Sequence, residues 1–386
     1  MRALSPMFLV FLLWCAGLGA AAQFGKISIL FENLRATYGA NGEVALGLVV
    51  SIVGMVGLIF GTTAGLLVAR IGPRRAIVAA LLAGAAMSAL QSLMPAYPLM
   101  LASRIVEGAS HLAIVVVGPT MIATLAPEAR RPLAMTLWSS FFGVTYTALA
   151  LIGPHATPTG LFLGHAAYMT ALAAILAATL PPDPRQPSAP LGNLLKQHAD
   201  IYASPRLAAP AMGFCCYTFL YVAVLTLLPP ETPTAHRALI ATGMPLVSIA
   251  VSLTLGVRLL RHMPAVRLVQ LGYLAAIPGF LLLWAFWGDG AGMVAGGFLL
   301  SGALGIVQGA SFAAIPELNQ TPQDRARAAG AVAQLGNLGT TTGTPVLAAV
   351  LASAGPPGLA LGAVVLCGIG IVAHQLQARR RLLRTD

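Results

Sequence analysis

The chain has 386 residues, of which 58% are hydrophobic and only 9% are charged. A water-soluble domain has roughly a quarter of its residues charged, so most of this protein's surface must face lipid. The formal net charge is +11, but the basic residues lie in short loops between hydrophobic runs, a pattern that sets membrane topology and argues against nucleic-acid binding.

The hydrophobic runs are long and lack the alternation of β-strands, so they predict helices rather than a membrane barrel. One span with its loop takes about 30 residues, which leaves room for about twelve. We therefore predict an all-α membrane protein with twelve transmembrane helices. The predicted spans are 7–30, 44–69, 76–94, 99–125, 133–153, 161–180, 208–228, 237–257, 268–287, 293–316, 329–352 and 358–376.

The first 22 residues have a basic start, a hydrophobic core and a small-residue end, like a cleavable signal peptide. The hydrophobic run continues to Phe31 and many more spans follow, so an uncleaved first helix is the better interpretation. All four cysteines lie inside hydrophobic runs, with neither metal-ligand spacing nor a disulfide framework. They are Cys15, Cys215, Cys216 and Cys367.

The distribution of lysine and arginine predicts the orientation. With the N-terminus inside, eighteen of the 22 basic residues face the cytoplasm and only Arg35 and Arg237 face outward, while Lys26 and Arg104 fall within spans. This bias predicts an integral protein of a bacterial cytoplasmic membrane with both termini cytoplasmic.

One long polar connection, residues 181–207, divides the spans into six and six. It predicts an N-terminal six-helix bundle (1–180), a cytoplasmic linker with a short surface helix around Leu191–Ile201, and a C-terminal six-helix bundle (208–376). A basic cytoplasmic tail, residues 377–386, completes the predicted organisation.

The turn between the second and third spans is tight and basic. Gly72 and Pro73 break the helix, and the arginines on both sides cannot stay in hydrocarbon. A shift of 191 residues places Arg70 and Pro73 on Arg261 and Pro264 in the matching connection of the second half. This offset supports two halves related by a parallel repeat.

The same turn resembles the signature loop of the major facilitator superfamily. The residues that match the pattern are Gly65, Arg70, Gly72, Arg74 and Arg75. Ala69 stands where the family usually has an aspartate that helps to lock the cytoplasmic gate, and Pro73 stands where a basic residue is common. The resemblance implies two six-helix bundles, a usually monomeric protein, and a central cavity lined by spans one, four, seven and ten.

The fourth span carries three ionisable residues, Arg104, Glu107 and His111, on one helical face. Ionisable groups within a span are costly and are functional candidates by default. Arg104 and Gly108 also match the Arg-x-x-x-Gly motif of the resembled family, whose arginine is associated with proton coupling, and His111 could titrate near neutral pH. The alternative is a structural ion pair beside a packed histidine.

Lys26 lies in the last turns of the first span, after Gln23. It could extend to the outer interface or pair with Glu43. Alternatively it faces the cavity, where it would attract an anionic solute or pair with Glu107. We treat Lys26 and Gln23 as candidate cavity residues.

The spans of the second half carry no obvious charge, so their candidates are polar. Tyrosines at helical spacing are more often packing residues, and amides beside glycines can hold helices together. The remaining cavity candidates are Tyr217, Tyr221, Gln308, Ser311, Gln334 and Asn337.

The sequence has neither a phosphate-binding loop nor a metal-ligand cluster, so we expect no enzyme, ATP-driven pump, metal site or cofactor. The leading hypothesis is a rocker-switch secondary transporter for a small solute, coupled to protons, with a neutral or anionic metabolite favoured. The alternative is proton-driven efflux of lipophilic compounds. A third possibility is a non-transporting sensor on a transporter fold, against which the basic loop and the intramembrane charges argue.

Overall fold

The computed structural model describes residues 5–41, 43–183 and 193–383, and every regular element in these ranges is helical. The α-helices are α1 (Pro6–Ile29), α2 (Phe31–Tyr38), α3 (Glu43–Ile71), α4 (Pro73–Gln91), α5 (Tyr97–Leu125), α6 (Arg131–Ser139), α7 (Phe141–Ile152), α8 (Pro158–Thr179), α9 (Leu194–Ala203), α10 (Ala208–Glu231), α11 (Thr234–Val251), α12 (Val257–Leu259), α13 (Ala265–Ala285), α14 (Gly290–Leu318) and α15 (Pro322–Leu383).

Ten helical segments in these ranges are long and hydrophobic enough to cross a membrane. The short helices α6 and α7 form one more span, and α15 contains two spans separated by Gly355, which has φ 63°. The described chain therefore has the twelve predicted spans, in two six-helix halves. A π-helical turn at Ser252–Gly256 joins α11 to α12 within the eighth span.

The span predicted at 133–153 is broken where α6 meets α7. Ser139 Oγ donates to the Thr136 carbonyl at 2.7 Å, and Ser140 Oγ donates to the Leu137 carbonyl at 2.7 Å. Serine hydroxyls that bond back to the preceding turn compete with the helix ladder and bend it. Two consecutive serines account for the break.

The connection between the halves is partly described. A helix was predicted around Leu191–Ile201, and α9 is found at Leu194–Ala203, capped by Asn193, whose side chain accepts from the Lys196 amide at 3.1 Å. Residues 184–192 lie outside the described ranges. At the other end of the chain, residues 377–383 of the predicted tail continue α15 as helix.

The tight basic turn forms as predicted between α3 and α4. Gly72 has φ 97°, a conformation that favours glycine. The carboxylate of Asp183 accepts from the amides of Arg74 at 2.8 Å and Arg75 at 3.0 Å. A negative charge is therefore placed at the N-terminus of α4, where it is stabilised by the helix dipole. It comes from Asp183 and not from position 69, which is Ala69.

We call the end of the molecule that carries this turn the basic end. There, residues of both halves form one hydrophobic cluster, which includes Ile122 of α5, Phe312 of α14 and Ala329 of α15. At the opposite end each half has its own cluster. The halves thus share a core at the basic end and have separate cores at the opposite end.

Glycines allow α3 to contact α15 closely at the basic end. A Cβ atom on Gly61 would lie 2.6 Å from Gln334 Cβ and 2.8 Å from the Gly330 carbonyl oxygen. Gly57 and Gly65, one turn to either side, likewise approach α15 with no room for a side chain. Small residues at one face let helix backbones pack closely in membranes.

Helix α9 contacts both halves at this joint. Thr62 Oγ1 of α3 lies 2.9 Å from His198 Nδ1, and Tyr202 donates its hydroxyl to Gln334 Oε1 of α15 at 2.7 Å. Burial raises the pKa of Tyr202, which keeps the hydroxyl a donor. The linker helix therefore stabilises the closed basic end.

We expect Asp183→Ala to lower the free energy of unfolding by about 1 kcal/mol, the usual cost of losing a helix cap. Thermal unfolding of the purified protein in detergent measures this change. Asp200→Ala, at an exposed position of α9, is the control and should change little. An unaltered melting temperature in Asp183→Ala would contradict the capping role.

We expect Gly61→Val to separate α3 from α15, because the new side chain overlaps the backbone of α15. Spin labels at the exposed residues Arg70 and Gln320, in a variant without native cysteines, would report a longer distance across the basic end. Gly164→Val is the control, since a Cβ there meets nothing within 4 Å. An unchanged distance distribution in Gly61→Val would show that this contact does not hold the end closed.

Candidate functional site

Three of the predicted residues meet inside the first half. Lys26 of α1 forms an ion pair with Glu107 of α5, and Arg104 forms a second ion pair with the same carboxylate. All three side chains are fully buried. We call Lys26, Arg104 and Glu107 the charge cluster. With each group ionised its net charge is +1.

The carboxylate of Glu107 is enclosed by donors. Its Oε1 accepts from Lys26 Nζ, and its Oε2 accepts from Arg104 Nη1 and from Gln91 Nε2 of α4, the latter at 2.8 Å. Gln91 also donates to Ser103 Oγ at 3.0 Å. A buried carboxylate is stabilised only when opposite charges and hydrogen bonds replace water, and both conditions hold here.

Arg104 ties three helices together. Its Nε donates to the Val49 carbonyl of α3 at 3.0 Å, and its Nη1 donates to the Gln23 carbonyl of α1 at 2.8 Å. Its remaining nitrogen, Nη2, is buried and has no hydrogen-bond partner among the described residues. The guanidinium therefore keeps one free donor beside the charge cluster.

Lys26 points toward α4 and α8 instead of toward the outer interface. Its Nζ donates to Ser88 Oγ at 2.8 Å and lies 3.4 Å from His165 Nδ1 of α8 and 5.2 Å from the centroid of the Phe162 ring. The first alternative for this residue, an interfacial lysine, is wrong. The side chain of Glu43, its other possible partner, lies outside the described part of the chain.

His111 lies one turn from Glu107 but makes different contacts. Its Nδ1 is 2.9 Å from the Ala20 carbonyl of α1, so this nitrogen carries the proton of the neutral ring. The ring packs edge-on against Phe24 at 4.8 Å and Phe142 at 5.9 Å between centroids. His111 thus borders the charge cluster without bonding to it.

Gln23 also lies beside the charge cluster. Its Nε2 donates to Ser110 Oγ at 2.9 Å, while its Oε1 is buried without a partner among the described residues. The oxygen Gln91 Oε1 is in the same situation. Two unpaired acceptors and the free Arg104 donor thus accompany the three charged groups.

The candidates of the second half are not all in one place. Tyr217 and Tyr221 are buried and stacked, with ring centroids 5.2 Å apart. Ser311 is buried, and its hydroxyl has no partner among the described residues. Gln308 donates to the Ser139 carbonyl of the first half at 2.6 Å, so it joins the two halves.

Gln334 and Asn337 belong to the closed joint at the basic end. Gln334 Nε2 donates to the Leu58 carbonyl of α3 at 2.7 Å. Asn337 bonds to its own helix and packs where a side chain on Gly54 or Gly57 would lie. In this conformation the two amides hold helices together, as the alternative interpretation of this segment expected.

Sequence reasoning missed three members of the site, Ser88, Gln91 and His165. One signal was available for His165, because it is an ionisable residue inside the predicted span 161–180 and the rule used for Lys26 applies to it equally. No such rule identifies Ser88 or Gln91, since buried polar residues on spans are common. Their positions follow from how α4 packs against α5 and α8.

The site has no metal-binding arrangement. Across residues 5–41, 43–183 and 193–383, no group of three or more histidine, cysteine or acidic residues is placed to hold a metal ion. The four cysteines are free thiols. The chemistry open to the charge cluster is therefore proton exchange and ion pairing.

Comparison with known proteins adds to this geometry. The family model of the Major Facilitator Superfamily matches residues 9–339. A comparison with curated proteins found no match to this chain.

Solved structures with the same fold include three transporters. The human organic anion transporter MFSD10 (TETRAN) is 17% identical with a TM-score of 0.80, and the alignment covers 96% of this chain and 99% of that one. The proton:xylose symporter XylE is 15% identical with a TM-score of 0.76 over 97% and 95%. The E. coli fucose:proton symporter FucP, in the outward conformation, is 15% identical with a TM-score of 0.74 over 97% and 99%.

We expect Glu107→Gln to destabilise the protein more than Lys26→Met. The first change leaves two buried cations without a counter-ion, at a cost of about 3–5 kcal/mol. The second leaves Glu107 paired with Arg104 and a cluster of zero net charge. Thermal unfolding of both variants in the same detergent compares them, and the reverse order would contradict this account of the cluster's charge.

Proposed function

Because the chain belongs to the major facilitator superfamily and is a membrane transporter rather than an enzyme, we propose that it carries a small solute by alternating access, coupled to protons. The proposal depends on one observation above all. Glu107 is a fully buried carboxylate shared by two cations, Lys26 and Arg104. A proton on this carboxylate changes the interactions of three helices at once.

Protonation of Glu107 would raise the net charge of the cluster from +1 to +2. Two uncompensated cations inside a membrane-spanning bundle are strongly unfavourable. Either the helices rearrange or an anion takes the place of the carboxylate. Since Arg104 also holds the backbones of α1 and α3, a rearrangement here would alter the helices that contact the second half. This is the step we assign to coupling.

The same charge argument favours a neutral or anionic solute. The cluster is positive, its single carboxylate is already paired twice, and Arg104 Nη2 is a free donor. An anionic solute would bind better when Glu107 is protonated, and by linkage a proton would bind better when the anion is present. Couplings of this kind are worth about 1–3 kcal/mol, or roughly 5–150-fold in affinity.

A second candidate, efflux of lipophilic compounds, is favoured by the aromatic side chains beside the cluster. Phe24, Phe142 and Tyr146 form a chain of contacting rings, with centroids 6.0 and 6.1 Å apart, and Tyr146 is 39% exposed although it lies within a span. Such rings suit a flat hydrophobic compound as well as a sugar or an aromatic acid. The charge cluster makes a lipophilic cation the less favoured solute.

We also propose that the basic end is cytoplasmic and that the protein is a monomer in a bacterial cytoplasmic membrane. The surplus of arginine at this end supports the orientation. With the basic end closed and the opposite cores separate, the conformation would face outward. The likeness to FucP in the outward conformation supports this assignment.

The test is proton movement in proteoliposomes that contain a pH-sensitive dye. We would add lactate, succinate, benzoate or the lipophilic cation tetraphenylphosphonium and record the internal pH. We expect an organic anion to acidify the lumen in the wild type and to have no such effect in Glu107→Gln, which should still exchange labelled anion for unlabelled anion.

Glu128→Gln, at an exposed loop position, is the matched control and should behave like the wild type. Normal anion-driven proton movement in Glu107→Gln would disprove the coupling role of Glu107. A response to tetraphenylphosphonium alone would replace the anion proposal with efflux of lipophilic cations.

A further inference from the structure

His165 is a buried histidine on α8 that contacts the charge cluster. Its Nε2 lies 3.0 Å from the Gly19 carbonyl of α1, and its Nδ1 lies 3.0 Å from Ser88 Oγ and 3.4 Å from Lys26 Nζ. Both ring nitrogens are therefore engaged. The imidazole is 8% exposed and bridges α8 to α1 and α4.

The hydrogen bonds determine the tautomer of this ring. A carbonyl oxygen can only accept, so Nε2 carries the proton that is shared with Gly19. In the neutral ring Nδ1 is then an acceptor that needs a donor. Ser88 already donates its hydroxyl proton to the Phe162 carbonyl at 3.0 Å. The donor that remains for Nδ1 is the ammonium group of Lys26.

The ammonium group of Lys26 has three N–H donors, and three acceptors surround it. They lie on three different helices: Glu107 Oε1 on α5, Ser88 Oγ on α4 and His165 Nδ1 on α8. If Glu107 takes up a proton, one of the three is weakened, and the other two must hold the lysine in place.

We propose that His165 is a positioning residue for Lys26: its Nδ1 lone pair keeps the ammonium group between α4 and α8 while Glu107 exchanges its proton. This assignment deepens the proposed function of the charge cluster and rests on it for its consequence in transport. The charged groups that face the ring are Lys26, Glu107 and Arg104. A proton on Nδ1 would set two donors against each other, so the role requires the neutral imidazole.

The lysine content of the chain makes a direct test possible. The sequence contains only two lysines, Lys26 and Lys196, and Lys196 is exposed on α9. In a Lys196→Arg variant labelled with 15N-lysine, Lys26 supplies the one side-chain amine signal. The rate at which its N–H protons exchange with water, followed by NMR, reports how firmly the ammonium group is held.

Two substitutions separate the acceptor from the rest of the ring. His165→Asn places an amide oxygen near the position of Nδ1 and keeps the acceptor. His165→Gln extends to the position of Nε2, so it keeps the donor to Gly19 and loses the acceptor. We expect exchange of the Lys26 protons to be at least about tenfold faster in His165→Gln, the loss expected for a hydrogen bond to a charged group, and nearly unchanged in His165→Asn.

Equal effects of the two variants on proton exchange would overturn the proposal, because the ring would then act only by filling space. His155→Asn, at an exposed loop position, is the control. If neither His165 variant folds, 15N-histidine labelling of the wild type still decides: we expect an unprotonated Nδ1 whose signal shifts in Lys26→Met. A protonated Nδ1, or a signal unaffected by Lys26→Met, would contradict the assignment.

The transport readout is separate. In anion-driven proton movement we expect His165→Gln to raise the apparent KM for the anion by about tenfold with a smaller change in maximal rate, and His165→Asn to restore the KM. If no anion or lipophilic cation moves protons in the wild type, the proposed function fails while the NMR result still tests the position of Lys26. Altered NMR exchange with an unaltered KM would overturn the consequence for transport.

Discussion

The shared carboxylate of Glu107 is the interaction on which the rest of the first half depends. Two cations from different helices meet on it, and Arg104 extends the contact to the backbones of α1 and α3. A group of this kind is expensive to bury and is strongly destabilised when one partner is removed. Its cost is understandable if one partner, a proton or an anion, enters and leaves during transport.

The basic end supplies the second requirement, a joint that can close. Glycines on α3 bring its backbone against α15, and α9 adds hydrogen bonds to both. These contacts are mostly between neutral groups, so they close the end without ion pairs to break. The charges at this end serve the turn between α3 and α4, where Asp183 caps α4.

The sequence predicts the fold well because hydrophobic length and arginine position are local properties. It also predicts that Arg104 and Glu107 meet, since three residues along a helix bring side chains together. The partner of Lys26 was left open, because an interfacial and a buried lysine look alike along the chain. Ser88, Gln91 and His165 depend on how α4 and α8 pack, and the closed joint, not local pattern, decides where Gln334 and Asn337 lie.

Infrared difference spectroscopy of the protein in lipid tests most directly whether Glu107 exchanges a proton. The account predicts that acidification in the presence of a transported anion produces the carbonyl band of a protonated carboxyl group, and that this band is missing in Glu107→Gln and kept in Glu128→Gln. If the band is equally strong in Glu107→Gln, or never forms in the wild type, Glu107 stays ionised throughout and the charge cluster is a structural ion pair.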